Sequence, residues 1–71
     1  MHKYEISIFW SEEDGAFLAE APALPGCMAH GESQETALAN CQAAIDLWIA
    51  TARDLGRLIP KPDSRRLGVA R

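Results

Sequence analysis

The 71-residue chain lacks several features that would place it in other classes of protein. It has two cysteines and no Cys-x-x-Cys spacing, so we expect no disulfide framework. No apolar run approaches the ~18 residues of a membrane span, and the first six residues hold no apolar core of a signal peptide. We therefore expect a small cytoplasmic protein that does not cross a membrane.

Positive charge is scarce over most of the sequence. Residues 1–52 carry one cation and eight carboxylates, whereas residues 53–71 carry six cations and two carboxylates. An acidic body does not favour nucleic acid, because attraction to phosphate dominates that affinity. It favours a basic partner protein, and the alternative is a charged surface that only keeps the protein in solution.

Catalytic motifs are missing as well. We find no arrangement typical of a Ser/His/Asp or Cys/His nucleophile, no phosphate-binding glycine loop and no dinucleotide fingerprint. Cys27, His30 and Cys41 are the residues of metal-ligand type. The odd spacing of Cys27 and His30 places their side chains on opposite faces of a strand, and Cys41 lies in an apolar stripe. We expect structural core cysteines, with no metal and no cofactor.

Carboxylates cluster near one predicted turn. Glu12, Glu13 and Asp14 lie in a hairpin loop, and Glu20 follows in the next strand. Such a set could hold the metal of a nuclease, but no pattern makes the four converge on one pocket, so solvated turn residues are the simpler interpretation.

The longest regular pattern in the sequence predicts an amphipathic helix over residues 34–55. At 100° per residue its apolar side chains share one arc. They are Ala37, Leu38, Cys41, Ala44, Ile45, Trp48, Ile49, Ala52 and Leu55. Ser33 is a suitable N-cap, Gly56 suits the position after the C-cap, and Pro60 prevents continuation. Trp48 is expected in the core. Leu47 falls on the outer face beside Ala43 and Ala50, which predicts either a self-association surface or an isolated surface leucine.

Three strands are predicted before this helix. Residues 3–10 alternate, with Tyr4, Ile6, Ile8 and Trp10 on one face. Residues 16–21 and 27–32 continue the sheet, joined by a stiff segment in which Leu24 is an anchor between two prolines. The order predicts an α+β domain, a three-stranded antiparallel meander covered by one long helix. We assign it to residues 1–62 and expect residues 63–71 to be a short basic tail, with a short edge strand as the alternative.

These features together resemble the HicB-like antitoxin family of toxin–antitoxin systems. The resemblance covers residues 4–62 and depends on a Pro-x-Leu-Pro-Gly-Cys element, a following glycine and a helix that ends in Gly and Ile-Pro-x-Pro. Its structural residues are Pro22, Leu24, Pro25, Gly26, Cys27, Gly31, Gly56 and Pro60.

The resemblance implies a non-enzymatic antitoxin with a partial ribonuclease H-like fold. Its expected partner is a small basic HicA-type ribonuclease toxin, and the family commonly forms dimers or tetramers. We expect Glu12, Glu13, Asp14 and Glu20 to contact the toxin. Family members often add a DNA-binding domain, for which residues 63–71 are too short, so DNA binding is not expected. The alternatives are an orphan homo-oligomer without a toxin and a residual Mg²⁺-dependent nuclease, with a DNA-binding repressor last.

Overall fold

The computed structural model describes residues 3–62, which form three strands followed by one helix. The elements are β1 (Ser7–Ser11), β2 (Ala16–Glu20), β3 (Met28–Gly31) and α1 (Gln34–Asp54). The strands make one sheet in the order β1-β2-β3, and both pairings are antiparallel. The predicted α+β meander with one covering helix is therefore confirmed. The basic tail and the alternative edge strand lie outside the described residues.

The first two strands form a hairpin whose register runs from Ser7 opposite Glu20 to Ser11 opposite Ala16. In the turn, the Gly15 N–H donates to the Ser11 carbonyl at 2.9 Å, and Gly15 adopts a φ of 61°, which favours glycine. The prediction that β1 starts at residue 3 is wrong. β2 ends opposite Ser7, since the chain next enters a proline-containing segment, so residues 3–6 have no strand to pair with.

The segment between β2 and β3 is a compact pair of turns. The Leu24 N–H donates to the Ala21 carbonyl, and the Cys27 N–H donates to the Leu24 carbonyl, each at 3.0 Å. Gly26 takes a φ of 80°. These turns drive the Leu24 side chain into the core, where 1% of it is exposed, as the sequence predicted. Next to this segment, β2 ends one residue earlier and β3 begins one residue later than the predicted ranges 16–21 and 27–32.

The core lies between α1 and the inner face of the sheet, and most of its members are small. Its fully packed residues are Ala19, Ala21, Leu24, Cys27, Ala37, Cys41 and Ile45. Small side chains let the helix approach the sheet closely. At the closest point a Cβ on Gly31 would overlap the backbone of Ala37. The Asn40 amide also donates to the His30 carbonyl at 2.7 Å and fixes the helix over β3.

Both ends of α1 are capped by side chains or turns. The Ser33 Oγ accepts from the Thr36 N–H at 3.1 Å and donates to the Thr36 Oγ1 at 2.9 Å. At the other end the Arg57 N–H donates to the Ala52 carbonyl and the Gly56 N–H to the Arg53 carbonyl, which is a Schellman motif.

One expectation about the apolar stripe of α1 is wrong at its margin. Leu55 is the C-cap residue and is largely exposed, because the Schellman turn directs the chain away from the sheet before the stripe is complete. Trp10 does share the inner face, as its pairing with Phe17 shows, but 48% of it is exposed. It lies at the hairpin end of β1, the strand that α1 covers least.

Candidate interaction surfaces

The acidic hairpin, defined as Glu12, Glu13 and Asp14, lies at one tip of the molecule. All three side chains are exposed. The Ser11 hydroxyl donates to the Asp14 carboxylate at 2.9 Å and accepts from the Asp14 N–H at 3.3 Å, so the turn is held by its own side chains. The hairpin thus presents three carboxylates from one short, ordered turn, and neighbouring like charges of this kind produce a local negative potential.

An aromatic pair supports this turn. Trp10 and Phe17 are cross-strand partners whose rings meet edge to face with centroids 5.1 Å apart. The Trp10 indole N–H donates to the Glu12 carboxylate at 3.2 Å. The exposed tryptophan and the carboxylates therefore form one continuous surface. Alternation alone put Trp10 on the face of Ile6 and Ile8 and did not predict its contact with Glu12.

Glu20 is not part of the acidic hairpin. It lies at the opposite end of β2, four residues from Ala16, which is about 13 Å along an extended strand. Its neighbours in the register are Ser7 on β1 and Met28 on β3. The structure therefore brings Glu12, Glu13 and Asp14 together but leaves Glu20 on a separate part of the surface.

The outer face of the sheet carries apolar side chains that no described residue covers. Phe9, Leu18 and His30 form one cross-strand row. Met28 lies in the adjacent row beside Glu20. Phe9, Met28 and His30 are exposed, whereas Leu18 is half-buried. Period-two alternation along β1 and β3 places Phe9, Met28 and His30 on the face opposite the core.

A groove of about 360 Å³ lies between α1 and the start of β3. The exposed side chains of Leu47 and Met28 and the half-buried Trp48 line it. The Trp48 indole N–H donates to the Pro25 carbonyl at 3.0 Å, so Trp48 both packs against the core and forms a wall of the groove. Leu47 is 69% exposed, and Ala43 and Ala50 are exposed beside it on the helix.

The residues of metal-ligand type do not converge on a site within residues 3–62. No group of three His, Cys, Asp or Glu side chains there is arranged to hold a metal ion. Cys27 is buried while His30 is exposed, as the odd spacing predicted. Over the same residues no helix has both the length and the apolar character that a membrane span requires.

Comparison with known proteins identifies the family of this chain. The family model described as HicB-like antitoxin of bacterial toxin–antitoxin system matches residues 4–68. This chain belongs to the HicB-like antitoxin family. The match spans all the elements described above, and it confirms the resemblance drawn from the Pro-x-Leu-Pro-Gly-Cys element and the helix that follows.

Two relatives of the HicB-like chain match it over most of its length. The UPF0150 protein Ta0767 of Thermoplasma acidophilum is 33% identical over 67 residues, which cover 94% of this chain and 96% of the relative. The UPF0150 protein ssl0259 of Synechocystis sp. is 42% identical over 57 residues, which cover 80% and 77%. No solved structure matches this chain significantly.

The residues that carry the HicB-like resemblance have backbone roles in this structure. Gly26 and Gly56 take positive φ values of 80° and 71°, and Gly31 leaves room for the helix backbone. The Pro60 carbonyl accepts a hydrogen bond from the Tyr4 hydroxyl, which ties the segment after α1 back to the segment before β1. These residues shape the backbone of the domain.

Proposed function

We propose that this HicB-like protein is an antitoxin that binds a small basic ribonuclease toxin of the HicA type and masks it without catalysing a reaction. The observation that carries the proposal is the family match over residues 4–68. The acidic hairpin supports a positively charged partner, because three exposed carboxylates in one turn attract a basic surface and accelerate its approach. The protein acts in the cytoplasm, where its toxin would be made.

The acidic hairpin is the proposed first contact with the toxin. Charge pairs at the rim of an interface act mainly on the association rate and on its salt dependence. Glu20 is a separate proposed contact, and because it adjoins Met28 on the outer face, it would extend the toxin interface across the sheet. Residues 1–62 form the proposed antitoxin domain, with residues 63–71 as a basic tail that is not expected to bind DNA alone.

The first test removes charge from the acidic hairpin and keeps its shape. In the variant Glu12→Gln, Glu13→Gln and Asp14→Asn, amide oxygens can still accept from Trp10 and Ser11. We expect toxin association at low ionic strength to slow by roughly an order of magnitude and its salt dependence to flatten. Stopped-flow mixing at several salt concentrations measures both quantities.

A charge-matched control separates the hairpin from the net charge of the protein. The control neutralises three exposed carboxylates elsewhere, with Glu32→Gln, Glu35→Gln and Asp54→Asn. If the control slows association as much as the hairpin variant, the attraction is global and the hairpin is not the contact. Glu20→Gln, measured alone, shows whether the interface reaches the outer face.

The second candidate function is that of an orphan homo-oligomer without a toxin, and the exposed Leu47 favours it. We propose that Leu47, Ala43 and Ala50 form a self-association surface, giving a dimer or tetramer. Leu47→Glu should lower the mass seen by analytical ultracentrifugation. Leu58→Glu, at a leucine that is 93% exposed outside the helix, is the control and should leave it unchanged.

A further inference from the structure

The groove between α1 and the start of β3 is lined by three separate parts of the chain. They are the start of β3, the second half of α1 and the turn that follows the helix, which supply Met28, Leu47, Trp48, Thr51 and Arg57. Its volume of about 360 Å³ falls in the range of small-molecule pockets, roughly 300–1,000 Å³. At ~30 Å³ for each water-sized group, the groove has room for a ligand of about a dozen heavy atoms.

Most of this lining is apolar. Met28 and Leu47 are exposed at the groove, whereas Cys27 and Ala52 are buried. The half-buried Trp48 provides an aromatic wall. An aromatic ring suits such a lining, because it packs against an indole and makes favourable contacts with a methionine sulfur. The apolar part of the groove therefore favours an aromatic ligand.

The polar part of the lining has one charged side chain, the guanidinium group of Arg57, together with the Thr51 hydroxyl. No carboxylate lines the groove in the part of the chain that the structure describes. This sign is unusual for the molecule, since residues 1–52 carry one cation and eight carboxylates. A guanidinium group binds a carboxylate through two parallel hydrogen bonds, and a hydroxyl can donate another. Charge complementarity therefore points to a ligand with a carboxylate.

Hydrogen bonds within the protein fix the walls of the groove. The Trp48 indole N–H donates to the Pro25 carbonyl at 3.0 Å, which holds the aromatic wall against the turn before β3. The Arg57 N–H donates to the Ala52 carbonyl at 2.8 Å, which holds the backbone of the cation beside the last turns of α1. A site whose walls are already in place loses less conformational freedom when a ligand binds.

We propose that this groove is a binding site for a small aromatic carboxylate. The ring of the ligand packs between Met28 and Trp48, and its carboxylate pairs with Arg57. Met28 lies opposite Glu20, at the end of the sheet away from the acidic hairpin. The site is therefore separate from the acidic hairpin, and it can be tested without a toxin.

The test titrates the purified full chain with hydrocinnamate, an aromatic carboxylate of the proposed size, and follows amide and indole signals by NMR. We expect saturable shifts of the Trp48 indole N–H and the Arg57 backbone amide. The Trp10 indole, at the hairpin, is the internal control and should not shift. Hydrocinnamide lacks the charge and propionate lacks the ring, so each should bind about tenfold more weakly. Equal binding of the three probes, or equal shifts at Trp10 and Trp48, would overturn the proposal.

Matched variants test the role of the cation. Arg57→Gln should weaken hydrocinnamate binding by about tenfold, because it removes the charged hydrogen-bond donors. Arg53→Gln removes an exposed cation of α1 that does not line the groove, and it should leave the affinity unchanged. Equal weakening in the two variants would show a general attraction of anions and would contradict the proposed site.

A second copy of the chain is the competing occupant of the groove. Leu47 belongs both to the groove and to the proposed self-association surface, so the titration is repeated on Ala43→Gln, which alters that surface but no lining residue. Saturable binding in either protein supports the site. If neither the parent nor Ala43→Gln shows saturable shifts at Trp48 and Arg57, the proposal is wrong.

Discussion

The two faces of the β-sheet differ in what covers them, although apolar side chains lie on both. On the inner face, Ala19 and Cys27 are buried beneath α1. On the outer face, Phe9 and Met28 remain 43% and 48% exposed. Because side chains alternate along a strand, a one-residue difference in position decides which face a residue joins. The comparison indicates that the inner face supplies the stability of the domain, whereas the outer face is available for contact with other molecules.

The largest expected effect comes from truncating Leu24, which the turns between β2 and β3 hold in the core with the inner face. Leu24→Ala should lower the free energy of unfolding by about 2–5 kcal/mol, because it removes a buried side chain and leaves a cavity. Met28→Ala on the outer face is the control and should cost less than about 1 kcal/mol. Urea unfolding followed by circular dichroism measures both. Similar losses of unfolding free energy in the two variants would show that the inner face does not contribute more to stability than the outer face.

A substitution that disturbs the close contact between β3 and α1 should lower the free energy of unfolding nearly as much. Gly31→Ala inserts a Cβ into the backbone of Ala37 and should cost about 1–3 kcal/mol through overpacking. Gly15→Ala is a useful comparison, because it strains a residue with positive φ at a position with open space around it. We expect Gly31→Ala to change the near-ultraviolet circular dichroism of the core and Gly15→Ala to leave it unaltered. A Gly31→Ala variant with native spectrum and stability contradicts the observed close approach.

The N-cap determines how firmly α1 covers the inner face, and its effect should be smaller. Ser33→Ala removes the acceptor for the Thr36 N–H and should cost about 1 kcal/mol. Ser33→Asp restores an acceptor and should recover most of the loss, as measured by the same urea titration. If neither substitution changes the free energy of unfolding, the Ser33 cap does not help to hold α1 on the sheet.

The smallest expected effect is a pH dependence of stability that arises from the two buried cysteines beneath the inner face. Burial raises the pKa of Cys27 and Cys41, so the folded domain keeps both protons at pH values where the unfolded chain has lost them. Their contribution to stability is complete below the unfolded pKa and is lost as the pH rises through the folded pKa. The Cys27→Ala, Cys41→Ala double variant should therefore lose less stability between neutral and alkaline pH than the parent. Parallel losses in urea titrations would refute this assignment.

The sequence was sufficient for the type and order of every described element, because the period of two before Ser33 and the amphipathic helix after it are both clear. Element ends were less predictable. β1 begins at Ser7 because its partner strand stops, and Leu55 leaves the stripe because a Schellman turn ends the helix. The first cause acts through a strand that is distant in sequence, whereas the second acts through Gly56 and Arg57, directly after the stripe.

The candidate surfaces were only partly predictable. Glu12, Glu13 and Asp14 could be grouped from one turn signal, and the turn does keep them together. The placement of Trp10 beside Glu12 and the burial of Cys27 and Cys41 in one core cluster depend on pairing and packing between elements. A single sequence gives the face on which a residue lies but not its neighbour across a sheet or beneath a helix.

The most direct measurement for the antitoxin proposal is co-purification. The tagged chain is expressed beside the small open reading frame adjacent to its gene, and the bound fraction is assayed for protein and for ribonuclease activity. The expected result is a stoichiometric complex with a small basic protein whose ribonuclease activity is suppressed in the complex and returns once this chain is removed. A homo-oligomer that binds no such protein and protects against none would contradict it.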